Sequence, residues 1–262
     1  MNKDKILITI NNLKEIEEYK KIGISNFLFS IESFSIDHFL FKLDDIKDIN
    51  ANIYLNINKT MDTKTIDEFK QIINDLSFIK GIFFDDIGVY QVLKDSNIPL
   101  IWNQSHFVLN SKSINFWLEK VNSACLSNEL TKEEIEYILK EANKPLILSV
   151  FGSNNAMQSR RHLISAFNTA KDVKIPLNAT LVADNGDKFT AKEDNDGMSI
   201  YYHDFFNYVP IINELDDSKI LLYLIDTFKL EIEDVLGLIS GKYPESDEKF
   251  LNNKTIYKLE EK

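Results

Sequence analysis

A chain of 262 residues can bury one substantial core, and a single α/β barrel takes about 250. Its net charge of −11 repels nucleic acid, which argues against direct DNA binding and leaves RNA dependent on a local basic patch or a basic partner. The single cysteine, Cys125, excludes an intrachain disulfide and any zinc or cluster site built from several of the chain's own thiolates.

The elements follow one another as strand and helix. Apolar and β-branched runs predict eight strands: Lys5–Ile10, Asn26–Ser30, Ala51–Ile57, Lys80–Asp85, Ile98–Asn103, Asn122–Ser127, Pro145–Phe151 and Lys219–Asp226. Most lack alternation, as parallel strands buried on both faces do. Helical spacing falls between them. Leu13–Ile22 carries apolar residues at 13, 16, 19 and 22, and Thr63–Leu76 opens on Thr63 as its expected cap. Thr131–Leu139 opens with a capping box of Thr131 and Glu134. Ser111–Leu118, Val209–Leu215 and Glu231–Ile239 are weaker helical patterns, and the link 31–50 is irregular. No apolar run reaches the roughly 18 residues of a membrane span, the N-terminal run is too short for a secretory signal, and a cytoplasmic protein is expected.

This order predicts one (β/α)8 barrel domain over residues 1–262, with an insertion at about 168–207 between the seventh and eighth strands. An open doubly wound sheet is the alternative, but no Gly-rich phosphate turn follows the first strand. Within the insertion, Asn185-Gly186 between two alternating runs predicts a two-residue hairpin on the rim where strands end.

Barrel chemistry sits at the carboxyl ends of strands. That rule selects Glu32, Asn56, Asn58, Asp85, Asp86, Asn103, Gln104, Glu129, Gly152 and Asp226. Asp and Asn at such positions also cap helices, but Glu129 precedes a helix that Thr131 already caps. Gly152 permits a sharp turn or a close approach. The histidines His38, His106, His162 and His203 lack metal-ligand spacing, and His38 and His203 are read as structural or solvated. Cys125 lies inside a predicted strand and reads as core.

Both arginines, Arg160 and Arg161, stand side by side, and lysine supplies every other basic charge. A guanidinium grips a carboxylate or phosphate at two points, where lysine is a point charge. The pair is expected in the loop or first helical turn after the seventh strand, one facing the barrel mouth and the other free to pair with a rim acid such as Glu129.

Several segments resemble the U-32 peptidase family of collagenase-like proteases. LSNEL at Leu126–Leu130 with TKEEIEYI, FVLNS at Phe107–Ser111, GIFFDDIGVYQVLK from Gly81, and EDNDGMSIYYHDF are similar, in order and spacing, to segments of that family. The family signature, E-x-F-x-x-G-[SA]-[LIVM]-C-x-x-x-x-G-x-C-x-[LIVM]-S, keeps Gly152, Ser153, Ile164 and Ser165. Ile147 and Ser149 replace its Glu and Phe, Asn155 and His162 stand at its two cysteines, and Arg160 at its second glycine. The resemblance implies a barrel, relatives that cleave protein or hydroxylate RNA (some with prephenate), and frequent work as two-subunit pairs. Members with the cysteines hold an iron–sulfur cluster, which is expected to be absent here.

Two readings follow. In the first, the chain is an enzyme or the short subunit beside a longer family member. It binds a small anionic metabolite through Arg160, Arg161, Gly152, Asn58, Asn110 and His162, with Glu129 and Asp86 as acid–base or orienting groups. In the second, it is a non-catalytic barrel that binds a metabolite or partner. Proteolysis ranks third, since no nucleophile, metal pair or carboxylate pair stands out.

Overall fold

The computed structural model describes residues 1–36, 38–103, 108–248 and 250–252. Gln104, His106 and Phe107, singled out in the sequence, lie outside the described residues. The chain forms β1 (Ile6–Thr9), α1 (Ile16–Lys21), β2 (Asn26–Ile31), β3 (Leu40–Phe41), α2 (Leu43–Ile46), β4 (Asn52–Ile57), α3 (Thr63–Ile72), β5 (Gly81–Phe84), α4 (Ile87–Leu93), β6 (Leu100–Trp102), α5 (Ser111–Leu118), β7 (Ser123–Ala124), α6 (Lys132–Glu141) and β8 (Leu146–Gly152). It continues through β9 (Asn155–Ser159), α7 (Leu163–Lys171), β10 (Asn178–Val182), β11 (Lys188–Asp194), β12 (Gly197–Tyr202), β13 (Phe205–Asn207), β14 (Ile220–Ile225), α8 (Ile232–Ile239) and β15 (Ser246–Asp247). Among the described residues no helix is long and apolar enough to cross a membrane.

Each of the eight expected strands is present within a residue or a few of its expected ends, as β1, β2, β4, β5, β6, β7, β8 and β14. They run parallel in the order β8-β14-β1-β2-β4-β5-β6-β7, and helices separate most of them along the chain. The fold is therefore mixed α/β around a large, mostly parallel sheet. The chain leaving β7 also reaches β8: Cys125 forms a parallel bridge with Ile147, and the Leu126 amide donates to the Ile147 carbonyl at 2.9 Å.

Period-two geometry explains why the strands read as unbroken apolar runs. In β2, Phe27 and Phe29 face the large core beneath the helices, while Leu28 faces the other way. In β5, Ile82 and Phe84 take the first face and Phe83 the second. The second face carries Leu7, Leu28, Phe83, Ile101, Cys125, Ile147, Leu222 and Leu224, packed with Tyr54, as one buried cluster. Each of the eight parallel strands, β7 through its continuation at Cys125, gives that cluster at least one residue.

The second sheet departs most from expectation. It is four-stranded and antiparallel, ordered β10-β11-β12-β9, and begins at Asn155, ahead of the expected insertion. Its small core joins Ile164 of α7 to Ala191 and Met198. The hairpin expected at Asn185-Gly186 joins β10 to β11, but its loop is longer than two residues. Ala183 N donates to the Asp187 carbonyl, Gly186 N donates to the Ala183 carbonyl, both at 2.9 Å, and Gly186 adopts φ 90°. This is a turn followed by a glycine bulge, the common three-residue solution. A tighter turn joins β11 to β12 through Asn195 and Asp196, next to Gly197 at φ 128°. A Cβ on Gly197 would lie 2.1 Å from the Ser159 carbonyl oxygen, so glycine alone lets β9 pack there.

Capping decides several helix starts. The Thr131–Glu134 box forms as expected, with both reciprocal bonds present. Thr63 is not the cap of α3; Asp62 is, accepting from the Thr65 amide at 2.9 Å, because its carboxylate reaches the third residue ahead. The helix α4 was not legible: GVYQ offers little apolar period, and Asp86 starts it by accepting from the Gly88 amide at 2.7 Å.

Candidate functional site

The alternation that builds the inner apolar layer also builds a cavity. Two residues beyond each layer position toward the carboxyl end, the chain carries Thr9, Ser30, Asn56, Asp85, Asn103, Ser127, Ser149 and Asp226. All but Ser30 line one cavity of about 370 Å³, and Ser30 lies behind it, accepting from Asn56 Nδ2 at 3.2 Å. Leu28, Cys125 and Leu224 of the layer also reach the cavity wall. The antiparallel sheet contributes Asn155, Gln158 and Tyr201, so it overhangs the same opening.

Aromatic and ionic contacts seat that sheet. Tyr201 packs on Phe228 at 4.9 Å between ring centres, and Phe228 packs on His38 at 5.7 Å. Lys59 meets Asp196 at 2.7 Å, and Arg160 meets Asp62 at 3.4 Å. Both contacts tie the loop after β4 to the antiparallel sheet.

The polar groups differ in electrostatic state. His38 Nε2 lies 3.1 Å from Asp226 Oδ1, and both side chains are largely buried. The Asp226 carboxylate also accepts from the Phe228 amide at 3.0 Å, which fixes its orientation. Asp85 is held well above the usual carboxylate range. Burial is the main cause, the charge of Asp86 adds to it, and a hydrogen bond with Asn103 offsets part. The shift favours the protonated form, which can donate where an ordinary aspartate only accepts. Cys125 is pushed up to about 12 by burial and then by Asp85, which keeps it a thiol and a poor nucleophile.

The expected site residues divide. Asn58 and Glu129 line the cavity. Asn58 Oδ1 accepts from the Ile36 amide at 2.9 Å, positioning the segment that carries His38. Gly152 acts on the wall through its missing side chain: a Cβ there would lie 2.7 Å from Asp226 Cβ. The close approach it permits is that of Asp226, the residue that follows β14.

Asp86 is engaged elsewhere. One oxygen caps α4 and the other accepts from the Met61 amide at 2.9 Å; its neighbour Asp85 faces the cavity. Asn110 caps α5 through the Lys112 and Ser113 amides. His162 is exposed at the start of α7. Arg161 is exposed, and Arg160, 58% exposed, pairs with Asp62 rather than Glu129. The strand β9 intervenes between Gly152 and the arginines, carrying both away from the cavity lining.

His38, read from the sequence as structural or solvated, lines the cavity beside Asp226. No spacing signalled it, because residue 38 sits in an irregular link. Thr9, Ser127 and Ser149 were also passed over. Their signal was present: each is a lone small polar residue near the carboxyl end of an apolar run.

The polar cavity lies at the carboxyl ends of the parallel strands, the end of the sheet at which α/β folds place their sites. A sequence profile of peptidase family U32 matches residues 22–175, more than half the chain, and the protein belongs to that family. No curated protein matches it significantly. The matched segment spans the cavity residues from Leu28 to Gln158 and leaves Thr9, Tyr201, Phe206, Leu224 and Asp226 outside.

The iron–sulfur cluster of cysteine-bearing relatives does not fit these residues. A cluster needs several thiolates, and the one thiol is buried in the inner layer and held protonated. Asn155, at one signature cysteine position, offers a carboxamide to the cavity, while His162, at the other, lies on the surface. Among the described residues no group of three or more His, Cys, Asp or Glu side chains is placed to hold a metal ion.

Proposed function

We propose that the eight parallel strands close into a (β/α)8 barrel whose mouth binds a small polar metabolite, with His38–Asp226 and Asp85 as its proton-transfer groups. Two observations support closure. A residue from every strand meets in one inner cluster, and Cys125 bridges to Ile147 across the seam between β7 and β8. In an open sheet of this strand order β7 would lie far from β8.

The observation that carries the binding reading is the polar ring two residues above the apolar layer, enclosing about 370 Å³. That volume lies in the range of small-molecule sites, roughly 300–1,000 Å³. Asp226 orients the His38 imidazole, and Asp85 brings a proton to the same space. The Cys125 thiol is held protonated, so proton transfer suits the geometry better than attack by that thiol. No iron–sulfur chemistry forms part of this proposal. The net charge of −11 suits work beside a partner that supplies basic charge, such as the second U32 member that the family resemblance implies.

An anionic ligand at Arg160 and Arg161 has weaker support, because neither arginine lines the cavity and Glu129, Asp85 and Asp226 do. Calorimetry and thermal-shift screening of small polar metabolites, dicarboxylates and phosphates against wild type, Asp226→Asn and the Arg160→Lys/Arg161→Lys double variant separates the two. The expected outcome is a ligand lost in Asp226→Asn and retained by the lysine variant. Loss in the lysine variant alone would overturn the cavity reading.

A further inference from the structure

The cavity wall is rich in carboxamides: among the described residues six asparagines and Gln158 line it. Three of them carry the argument. Asn56 is 5% exposed, and its Oδ1 has no hydrogen-bond partner among the described residues. Asn154 is 8% exposed and accepts from Asn128 Nδ2 at 3.0 Å. That amide pair leaves Asn128 Oδ1 and Asn154 Nδ2 without partners among the described residues. Turning both amides over exchanges the roles and still leaves one acceptor beside one donor. Buried polar atoms without partners are costly and scarce in native folds, and three on one cavity wall point to groups that a ligand satisfies.

Their chemistry narrows the ligand. A carboxamide both donates and accepts, as does an alcohol hydroxyl, so adjacent hydroxyls on neighbouring carbons match the joined Asn128–Asn154 pair. Charge narrows it further. Among the described residues the titratable carboxyl groups on the wall are Asp85, Glu129 and Asp226, and His38, already bonded to Asp226, is the basic group beside them. Such a wall disfavours an anion, and a permanent cation would need a free buried carboxylate. Tyr201 and Phe206 add apolar faces of the kind that pack on C–H surfaces.

We infer that the cavity takes a neutral polyhydroxylated ligand, a sugar or cyclic polyol, gripped by Asn56 and by the Asn128–Asn154 pair. This rests on the reading of the cavity as a metabolite site and names the class of that metabolite.

Saturation-transfer-difference NMR tests it with D-glucose, D-ribose and myo-inositol as the neutral set, putrescine as the amine, and citrate and inorganic phosphate as the anions. Wild type, Asn154→Ala and Asn56→Ala are compared, with circular dichroism and thermal melts identifying any variant that fails to fold. Asn128→Ala, at a half-buried position, serves as the second probe of the pair should Asn154→Ala unfold. The expected result is a signal from at least one neutral probe, weakened about tenfold or more in affinity by either amide substitution in folded protein. Binding of putrescine, citrate or phosphate alone, lost in Asp226→Asn, would overturn the ligand class and leave the metabolite site standing. Binding of a neutral probe that both amide variants retain would overturn the grip assigned here. No binding from any probe would count against both.

Discussion

Asp85 shows how one side chain turns from structure to chemistry through its neighbours. Its carboxyl sits on the cavity side of β5's end, where burial disfavours the charged form most and Asp86 adds repulsion. An unfolded aspartate titrates near ~3.9. Because the folded value is higher, the folded state holds the extra proton between the two. Stability from this group is complete below the unfolded value and declines as pH rises through the folded one. Asp85→Asn removes that titration. The variant's unfolding free energy minus that of wild type should therefore rise with pH above about 4. Urea melts across that window measure it, and a flat difference would contradict the assignment. The sequence displayed Asp85 and Asp86 as equals. Which of them faces inward depends on strand phase: Phe83 lies in the inner layer, so Asp85 follows it and Asp86 turns away to cap α4. A one-residue ambiguity of phase was enough to favour the wrong neighbour for the cavity. The arginine pair carried a stronger compositional signal, yet composition says nothing of direction, and β9 carries both arginines off the lining.

At the scale of elements, the link between α7 and the antiparallel sheet is the clearest dependence on one contact. The helix starts without a side-chain cap from His162. Glu193 of β11 supplies one from a distance, accepting from the Ile164 amide at 2.7 Å and the Ser165 amide at 3.2 Å, and from the Ser165 hydroxyl. A carboxylate at this end also suits the helix dipole. Burial pushes the Glu193 carboxyl up, but the Ser165 hydroxyl, the two amides and His162 outweigh it and hold the group below its ordinary value. The sign is opposite to that of Asp85: the stability is present above the ordinary glutamate range and lost as pH falls through the lowered value. Glu193→Gln should cost about 1 kcal/mol at neutral pH, a cost that vanishes in acid. Hydrogen exchange at the Ile164 and Ser165 amides checks it: faster exchange confined to α7 and the antiparallel sheet is expected, and unchanged exchange there would contradict it. The eight parallel strands were legible because both of their faces are apolar. The strands β9, β12 and β13 were not: β9 is short and polar, β12 is largely buried but has neither an unbroken apolar run nor a clean alternation, and β13 has only three residues. Glu193 had no local signature as a cap, because it lies 29 residues from Ile164, the residue it holds.

At the scale of the whole molecule, every functional statement depends on the parallel strands enclosing a space. The inner cluster drawn from all eight strands, the polar ring above it and the cavity at their carboxyl ends share one origin in the closure proposed between β7 and β8. The contact between these two strands is short. The Cys125 amide donates back to β6, at the Trp102 carbonyl, and the next amide, Leu126, crosses forward to Ile147 of β8 at 2.9 Å. Amide hydrogen exchange resolved at Leu126 by NMR therefore tests the central claim most directly. In a closed barrel this amide should be protected to about the same extent as those in the middle of β8, opening only with the global unfolding of the domain. Exchange at Leu126 as fast as in the exposed β10–β11 turn, with β8 still protected, would mean that β7 is a free edge and that the sheet encloses no cavity.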